Sequence, residues 1–243
     1  MADAPFGRYR RVSQLPLGLR LDQSAVFETF VAGGNAAARS HVAALASGER
    51  GDIVWLGGAA GTGKSHLLQA ACRMAGNRGG RAMYVALGPS RGAHPDQLLG
   101  FEMLDLLTID EIDAVAGHAL WEARLFAVLN HALLRGGAVL LAARPIPSSV
   151  PFELRDLASR AAGAVVYRLA ELDEEGRAEA LIGHARWRGL EIDAATARFL
   201  LNRVPRGMRE ICAWLDRLDR ASLAAQRKLT IPFVRERLAA PLE

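Results

Sequence analysis

The strongest chemical signal in the sequence is a glycine-rich run that ends in lysine and serine. Residues 58–65 read Gly-Ala-Ala-Gly-Thr-Gly-Lys-Ser, the pattern G-x-x-x-x-G-K-[ST] of a phosphate-binding loop, or P-loop. Its glycines let the backbone turn tightly, so that successive N–H groups point at phosphate oxygens. Lys64 would neutralise the β- and γ-phosphates, and the Ser65 hydroxyl would hold Mg²⁺. We expect a nucleotide to contact Gly58, Gly61, Thr62, Gly63, Lys64, Ser65 and the adjoining His66.

A second acidic signal follows an apolar run. Residues 104–111 read Leu-Asp-Leu-Leu-Thr-Ile-Asp-Glu, as expected for a strand that ends at a Walker B site. Asp110 would then support Mg²⁺, and Glu111 could polarise an attacking water. An Asp-Glu pair at a strand end is also a common solvated helix start, and for Glu111 that alternative stays open.

Strand-length apolar runs alternate with helical segments around these two motifs. The runs lie at 53–56, 82–86, 104–109, 138–142 and 165–167, and the helical segments at 65–75, 95–101, 119–134 and 151–158. Apolar strands separated by helices predict an α/β fold with a five-stranded parallel sheet covered on both faces.

The pattern changes near residue 171, where strand candidates stop. Segments 174–188, 194–204, 206–227 and 231–238 are all predicted to be helical. In the third segment Met208, Ile211, Leu215 and Leu218 recur at three- and four-residue steps, which predicts one buried stripe. We therefore divide the chain into an arm at 1–22, a nucleotide-binding core at 23–170 and a small all-helical lid at 171–243.

Composition limits the classes of protein that this chain could be. Of 243 residues, 51% are hydrophobic and 23% are charged, a balance that excludes intrinsic disorder. The longest apolar stretch, Ala138–Ala143, is too short to cross a bilayer, so we expect no membrane partner. Two cysteines without metal-ligand spacing argue against a disulfide framework or a zinc site and favour a cytoplasmic protein. A net charge of +4 permits nucleic-acid contact without requiring it.

Taken together, these motifs resemble the AAA+ ATPases, and more closely their replication-initiator branch. That family uses five β/α units followed by a helical lid. No sequence resembling a helix-turn-helix DNA-binding domain follows the lid, which favours the shortened regulatory members. Residues 120–122 and 218–234 also look like those members.

The resemblance implies further site residues. Segment 27–35 looks like the part that packs on adenine, which assigns Val31 and Asn35 to the nucleotide. Arg160, in Leu-Ala-Ser-Arg before the last strand, resembles the arginine finger that acts on a neighbour's nucleotide. Arg209 matches the lid arginine called sensor 2. From the residues alone, Arg160 could equally satisfy carbonyls at its helix end, and Arg209 could be a surface residue.

The arm carries one short motif, Gln-Leu-Pro-Leu-Gly-Leu at 14–19. It resembles the peptide by which such proteins dock on the replicative sliding clamp, the β subunit of DNA polymerase III. Gln14 would bond at a pocket mouth while Leu15, Leu17 and Leu19 fill apolar subsites. Gly18 stands where the family usually has proline, which makes the free peptide more flexible. The alternative is an arm that packs on its own domain.

The resemblance thus implies a negative regulator of replication initiation. It would bind ADP or ATP with Mg²⁺, dock on clamp loaded on DNA, and stimulate hydrolysis of ATP on DnaA. Ala142 and Ala143 stand near the position of a polar sensor 1 residue, so we expect weak or absent intrinsic ATPase activity. Two alternatives stay open: a DnaA-like adaptor that does not stimulate hydrolysis, and an autonomous ATPase such as a helicase loader. The sequence leaves open a homo-oligomer and direct contact with DNA.

Overall fold

The computed structural model describes residues 21–88, 94–205 and 207–239, and a single parallel sheet organises the first two-thirds of this part. Its strands lie side by side in the order β2-β3-β4-β1-β5. Their bounds are β1 Ile53–Gly57, β2 Ala82–Ala86, β3 Leu106–Asp110, β4 Ala138–Ala143 and β5 Val165–Arg168. The predicted five-stranded α/β core is confirmed.

Helices cover both faces of the sheet and explain why its central strands are apolar throughout. Strands β1, β3 and β4 are buried along their whole length. On one face Val54 and Leu56 pack with helices α1 and α2. On the other face Trp55 packs with helices α3 and α4. The four helices are α1 Ala36–Ala46, α2 Lys64–Asn77, α3 Ala119–Leu134 and α4 Arg155–Ala162.

The remaining helices form the predicted lid around an apolar core of their own. They are α5 Glu174–Trp187, α6 Ala194–Leu201, α7 Met208–Ala225 and α8 Ile231–Ala239. The α7 stripe is confirmed, since Ile211, Leu215 and Leu218 are buried against α5, α6 and α8. Asp193 caps α6 by accepting a 2.6 Å hydrogen bond from the Thr196 N–H. Within the described ranges, no helix is both long enough and apolar enough to span a membrane.

Two predictions about helices in the core are wrong, and one helix was absent from the predicted segments. The segment 95–101 forms two short 3₁₀ turns, Pro95–Leu98 and Phe101–Met103, because Gly100 between them has φ +88°. Helix α4 begins at Arg155 instead of near 151. Helix α1 was implied only by the resemblance of segment 27–35 and was not among the segments predicted from periodicity, because its many alanines give helix propensity without a clear apolar period.

A buried glutamate binds the backbone just before α4 begins. Glu122 of α3 is fully buried, and its carboxylate accepts hydrogen bonds from the backbone N–H groups of Leu154 (2.6 Å), Glu153 (3.2 Å) and Gly117 (2.7 Å). The backbone N–H groups of Glu153 and Leu154 precede the first turn of α4 and have no partner within that helix. The carboxylate on the neighbouring helix α3 accepts their hydrogen bonds instead. Glu122 fixes where α4 begins relative to α3.

Replacing Glu122 with alanine should destabilise the fold strongly. Three partly buried hydrogen bonds would be lost together with the packing of a fully buried side chain, and we expect a loss of about 3 kcal/mol in the free energy of unfolding. Urea unfolding followed by circular dichroism measures the loss. Glu179→Ala removes an exposed helical glutamate and is the matched control. Equal stabilities for Glu122→Ala and the control would contradict the structural role of Glu122.

Candidate functional site

The glycine-rich loop joins β1 to α2 in the predicted strand–loop–helix context. Gly58, Gly61 and Gly63 have φ values of +152°, +84° and +93°, which side chains rarely allow. Close neighbours also require glycine at two of these positions. A Cβ on Gly63 would lie 2.6 Å from the Phe30 ring, and one on Gly58 would lie 2.9 Å from the Leu169 carbonyl oxygen. The loop is therefore a closely packed cradle.

Lys64 lies over this cradle. Its Nζ donates hydrogen bonds to the carbonyl oxygens of Gly58 (2.6 Å) and Ala59 (2.7 Å). Burial lowers the pKa of Lys64, and the nearby Arg144 lowers it further, while Asp110 acts in the opposite direction. An anion in the cradle would offer this ammonium a stronger partner than two carbonyls. The Thr62 hydroxyl bonds the Ala59 carbonyl (3.0 Å), so Thr62 fixes the loop from within.

Asp110 ends β3 at the same edge of the sheet. It is 4% exposed and accepts a 2.9 Å hydrogen bond from the Tyr84 hydroxyl and a 3.0 Å bond from the Glu111 N–H. Glu111 has φ +55°, an uncommon conformation for a residue other than glycine, and its carboxylate lies over Gly88 at the end of β2. Local backbone strain of this kind concentrates at functional sites.

This edge has the donor set for a nucleotide phosphate with Mg²⁺. A Cβ on Gly58 or Gly63 would collide with its neighbours and change the shape of the cradle. Lys64 supplies a cation beside the cradle. Ser65 is exposed at the start of α2, and Asp110 is a buried carboxylate. A hydroxyl and a carboxylate are oxygen ligands of the type that Mg²⁺ prefers. The Mg²⁺ assignment to Ser65 and Asp110 remains a prediction.

The lid closes over the cradle through the start of α7. A Cβ on Gly61 would lie 3.5 Å from the backbone N of Met208, the first residue of α7. Arg209 belongs to the same first turn, and its side chain lies outside the described part of the structure. The predicted contact between Arg209 and the nucleotide is therefore not tested.

The segment before α1 connects core and lid. Phe30 packs against Gly63, and the Asn35 side chain bonds both backbone groups of Ala170, as donor to its oxygen (3.0 Å) and acceptor from its nitrogen (2.8 Å). Asn35 thus ties this segment to the chain leaving β5. Val31 lines a cleft of ≈ 440 Å³ with residues of α5 and α6. Nucleotide contact by Val31 and Asn35 stays a prediction.

His66 points towards the lid. Its Nε2 lies 2.8 Å from the Val26 carbonyl oxygen, and its ring lies edge-on to His184 of α5, with ring centroids 5.6 Å apart. Burial lowers the pKa of both histidines. That of His184 falls to about 4, with nearby His66 and Arg188 adding to the effect of burial. Direct contact between His66 and the nucleotide remains a prediction, but its ring joins the P-loop helix to the lid.

Arg160 lies at the other end of the sheet. It belongs to the last turn of α4 and donates a hydrogen bond from Nη2 to the Asn130 side-chain oxygen of α3. It lines a surface pocket of ≈ 510 Å³ with Asp52 and Ile53, where β1 begins. The P-loop follows the last residue of β1, so the length of that strand, roughly 16 Å, separates the two features. The structure does not bring Arg160 to its own P-loop.

Several residues of these two regions were missed by sequence reasoning. Tyr84 bonds Asp110 from a neighbouring strand, and Asn130 bonds Arg160 from a neighbouring helix. Each pair joins two different elements, so no spacing in the sequence reveals it. Arg144 follows β4 directly. Its position just after the alanines at 142 and 143 could have indicated, from the sequence, that it lies at the same edge of the sheet as the P-loop. The arm motif at 14–19 lies outside the described residues.

Comparisons with known proteins match the lid to a family model and the fold to DnaA. Residues 173–238 match the family model for the Hda lid domain. Domain III of DnaA from Thermotoga maritima superimposes with a TM-score of 0.73 at 21% identity, covering 89% of this chain and 96% of that one. AMPPCP-bound DnaA from Aquifex aeolicus matches with a TM-score of 0.66 at 25% identity, covering 82% of this chain and 66% of that one. A DnaA bound to AMPPCP and single-stranded DNA matches at 23% identity, TM-score 0.66 and the same coverages.

The sheet order, the P-loop between β1 and α2 and the helical lid give the chain an α/β core that resembles the AAA+ domain of DnaA. The match of residues 173–238 to the Hda lid domain indicates which AAA+ proteins the lid resembles. Residues 173–238 form an Hda-type lid, and the described fold as a whole is that of an AAA+ protein similar to DnaA. The chain spans about two thirds of the length of the two AMPPCP-bound DnaA chains.

His184→Gln should reduce the dependence of stability on pH. The folded protein holds the pKa of His184 at about 4, against an ordinary value of 6.5. As the pH falls, the unfolded chain takes up the proton first, so this stability is full above 6.5 and is lost towards 4. Between pH 7 and pH 5 the wild type should lose about 2 kcal/mol more than His184→Gln in urea unfolding.

The surroundings of His184 make the variant comparison necessary. Asp22, His66, Arg188 and Asp216 all act on this histidine, and other groups titrate in the same range. His131→Gln, at an exposed site of α3, should keep the pH dependence of the wild type. An unchanged pH dependence in His184→Gln would contradict the assignment.

Proposed function

We propose that this protein is a negative regulator of chromosomal replication initiation that acts on DnaA. In this proposal it binds an adenine nucleotide, docks on the DNA-loaded sliding clamp and stimulates hydrolysis of DnaA-bound ATP in trans. The supporting observation is the position of Arg160, at the end of the sheet opposite to the protein's own P-loop and beside an open pocket. A guanidinium there is available to a neighbouring molecule and not to the protein's own nucleotide.

The P-loop would hold the protein's own nucleotide, with ADP as the favoured occupant. Backbone N–H groups of the loop and the start of α2 would bind phosphate oxygens, and Lys64 would leave its two carbonyl acceptors to neutralise charge. Bound Mg²⁺ would neutralise further phosphate charge at Ser65 and Asp110. The lid contact at Gly61 would then close over the phosphates.

Arg160 would lower the barrier of hydrolysis on the partner. A water attacks the γ-phosphorus of the ATP on DnaA while the bond to the β–γ bridging oxygen breaks, which releases phosphate and ADP. Charge spreads over the γ-phosphate oxygens in the transition state, and the planar fork of Arg160 donors matches those oxygens. The bond to Asn130 fixes the direction of the side chain in advance.

The protein's own site is poor for hydrolysis. Ala142 and Ala143 end β4 with 0% and 1% exposure, and neither can orient a water. Glu111 alone would have to polarise one. This combination supports a protein that retains a nucleotide and acts on its partner.

Asp22, the last residue of the predicted clamp-binding arm, is hydrogen-bonded to the core. The Asp22 N–H donates to the Gln69 side chain, and Arg73 donates to the Asp22 carbonyl oxygen, both at 2.8 Å. Both partners belong to α2, the P-loop helix. The attachment point of the predicted arm is therefore fixed on the core.

Arg160→Ala should lose stimulation of DnaA and little else. The finger acts on charge that builds up in the transition state, so its removal lowers the rate and spares ground-state binding. We expect the stimulated rate of ATP hydrolysis by DnaA, with clamp loaded on DNA, to fall by about 10³-fold or to the unstimulated level. Arg160→Lys should rescue poorly, because lysine lacks the planar fork.

Arg155→Ala, an exposed arginine in the first turn of the same helix, is the matched control and should stimulate like the wild type. Nucleotide affinity and melting temperature should stay at wild-type values in both variants. Full stimulation by Arg160→Ala would refute the trans mechanism and favour an adaptor without hydrolysis-stimulating activity.

Alanine at Gln14, Leu15 and Leu17 together should abolish clamp binding without changing stability. These side chains would fill the clamp's subsites, whereas free arms contribute little to a fold. Surface plasmon resonance on immobilised clamp and thermal unfolding measure the two effects. Alanine at Arg10 and Arg11 in the same arm is the control. A large drop in melting temperature would show instead that the arm packs on its own domain.

A further inference from the structure

Arg144 stands at the phosphate-binding edge of the sheet. Strands β1 and β4 pair in register up to Gly57 and Ala143. One residue further on, the N–H of Gly58 donates a 3.0 Å hydrogen bond to the Arg144 carbonyl oxygen. Arg144 is therefore held opposite the first residue of the P-loop, by backbone contacts that do not involve its side chain.

The guanidinium of Arg144 is exposed and available. Over residues 21–88, 94–205 and 207–239, the structure gives it no hydrogen bond or ion pair. Arg81 and Arg124 of the core are instead paired, with Asp105 and Asp96 respectively.

The charge of Arg144 acts on Lys64, which shows that the two cations share one region. Asp110, Asp113 and Glu111 act on Lys64 with the opposite sign. A bound phosphate would add an anion with which the unpaired Arg144 guanidinium could form charge-assisted hydrogen bonds.

The chemistry of arginine decides what this position can do. A guanidinium has five N–H donors and no acceptor, so it cannot take a proton from water. It can bind phosphate oxygens with two parallel hydrogen bonds. With alanine at 142 and 143, the end of β4 therefore offers a phosphate-binding cation and no group that orients an attacking water.

We propose that Arg144 is a second phosphate-binding cation of this site, which contacts the terminal phosphate of the nucleotide held by the P-loop and favours its retention over its hydrolysis. The inference rests on the proposed nucleotide binding and adds a specificity-determining residue to it. Lys64 and Arg144 then hold the phosphates from two sides of the loop. The number of phosphates on the ligand, more than its base, should determine how much Arg144 contributes.

The test compares ADP and AMP binding to four forms of the full chain by calorimetry in the presence of Mg²⁺. These are the wild type, Arg144→Ala, Arg144→Lys and the control Arg135→Ala. Arg135 is also exposed, but it precedes β4 and so marks the opposite end of the same strand. Arg144→Ala should bind ADP at least about tenfold more weakly than the wild type. AMP affinity should change much less, Arg144→Lys should recover part of the loss, and Arg135→Ala should match the wild type.

The outcomes separate this inference from the nucleotide proposal. Wild-type ADP affinity in Arg144→Ala would overturn the inference and leave nucleotide binding intact. Equal losses for ADP and AMP would also overturn it, because they would indicate a change in the loop instead of a lost phosphate contact. A wild-type protein that binds neither ligand would overturn the nucleotide proposal and this inference with it. Melting temperatures of all variants should agree with the wild type, since both arginines are exposed.

Discussion

The close packing of the P-loop against three other parts of the chain is the constraint on which this structure depends. Gly63 leaves room for Phe30, Gly58 for the Leu169 carbonyl oxygen, and Gly61 for the first turn of α7. The segment before α1, the end of β5 and the lid therefore meet at one loop. A movement of the loop would therefore disturb its contacts with each of these segments. The His66–His184 contact adds a second link between the P-loop helix and the lid.

The parallel sheet places the P-loop and Arg160 at its two opposite ends. All strands point the same way, so β1, β3 and β4 deliver the P-loop, Asp110 and Arg144 to the carboxyl edge. The α3–α4 pair holds Arg160 near the amino edge through Asn130. Glu122 fixes the start of α4 and thereby the reach of Arg160. One end is thus suited to hold a nucleotide, and the other is free to face a neighbour.

The sequence predicted the features that depend on short-range patterns. Apolar runs located all five strands, and the spacing of glycines, lysine and serine located the phosphate cradle. Contacts between distant segments could not be predicted. Glu122 reads as an exposed helical residue in the sequence, yet it bonds three backbone groups from two other segments. Tyr84 and Asp110 are likewise brought together only by strand pairing. Helix α1 was not predicted from periodicity because alanine favours helix without marking a buried face.

The central claim is that this cradle binds an adenine nucleotide through its lysine. Calorimetric titration of ADP with Mg²⁺ into the wild type and Lys64→Ala tests it most directly. Lys228, the other lysine in the sequence, has a side chain 83% exposed in the lid, and Lys228→Ala is the control. The account predicts one ADP per chain for the wild type and Lys228→Ala, and at least about a tenfold loss of affinity for Lys64→Ala. Equal ADP affinity in Lys64→Ala and the wild type would contradict it.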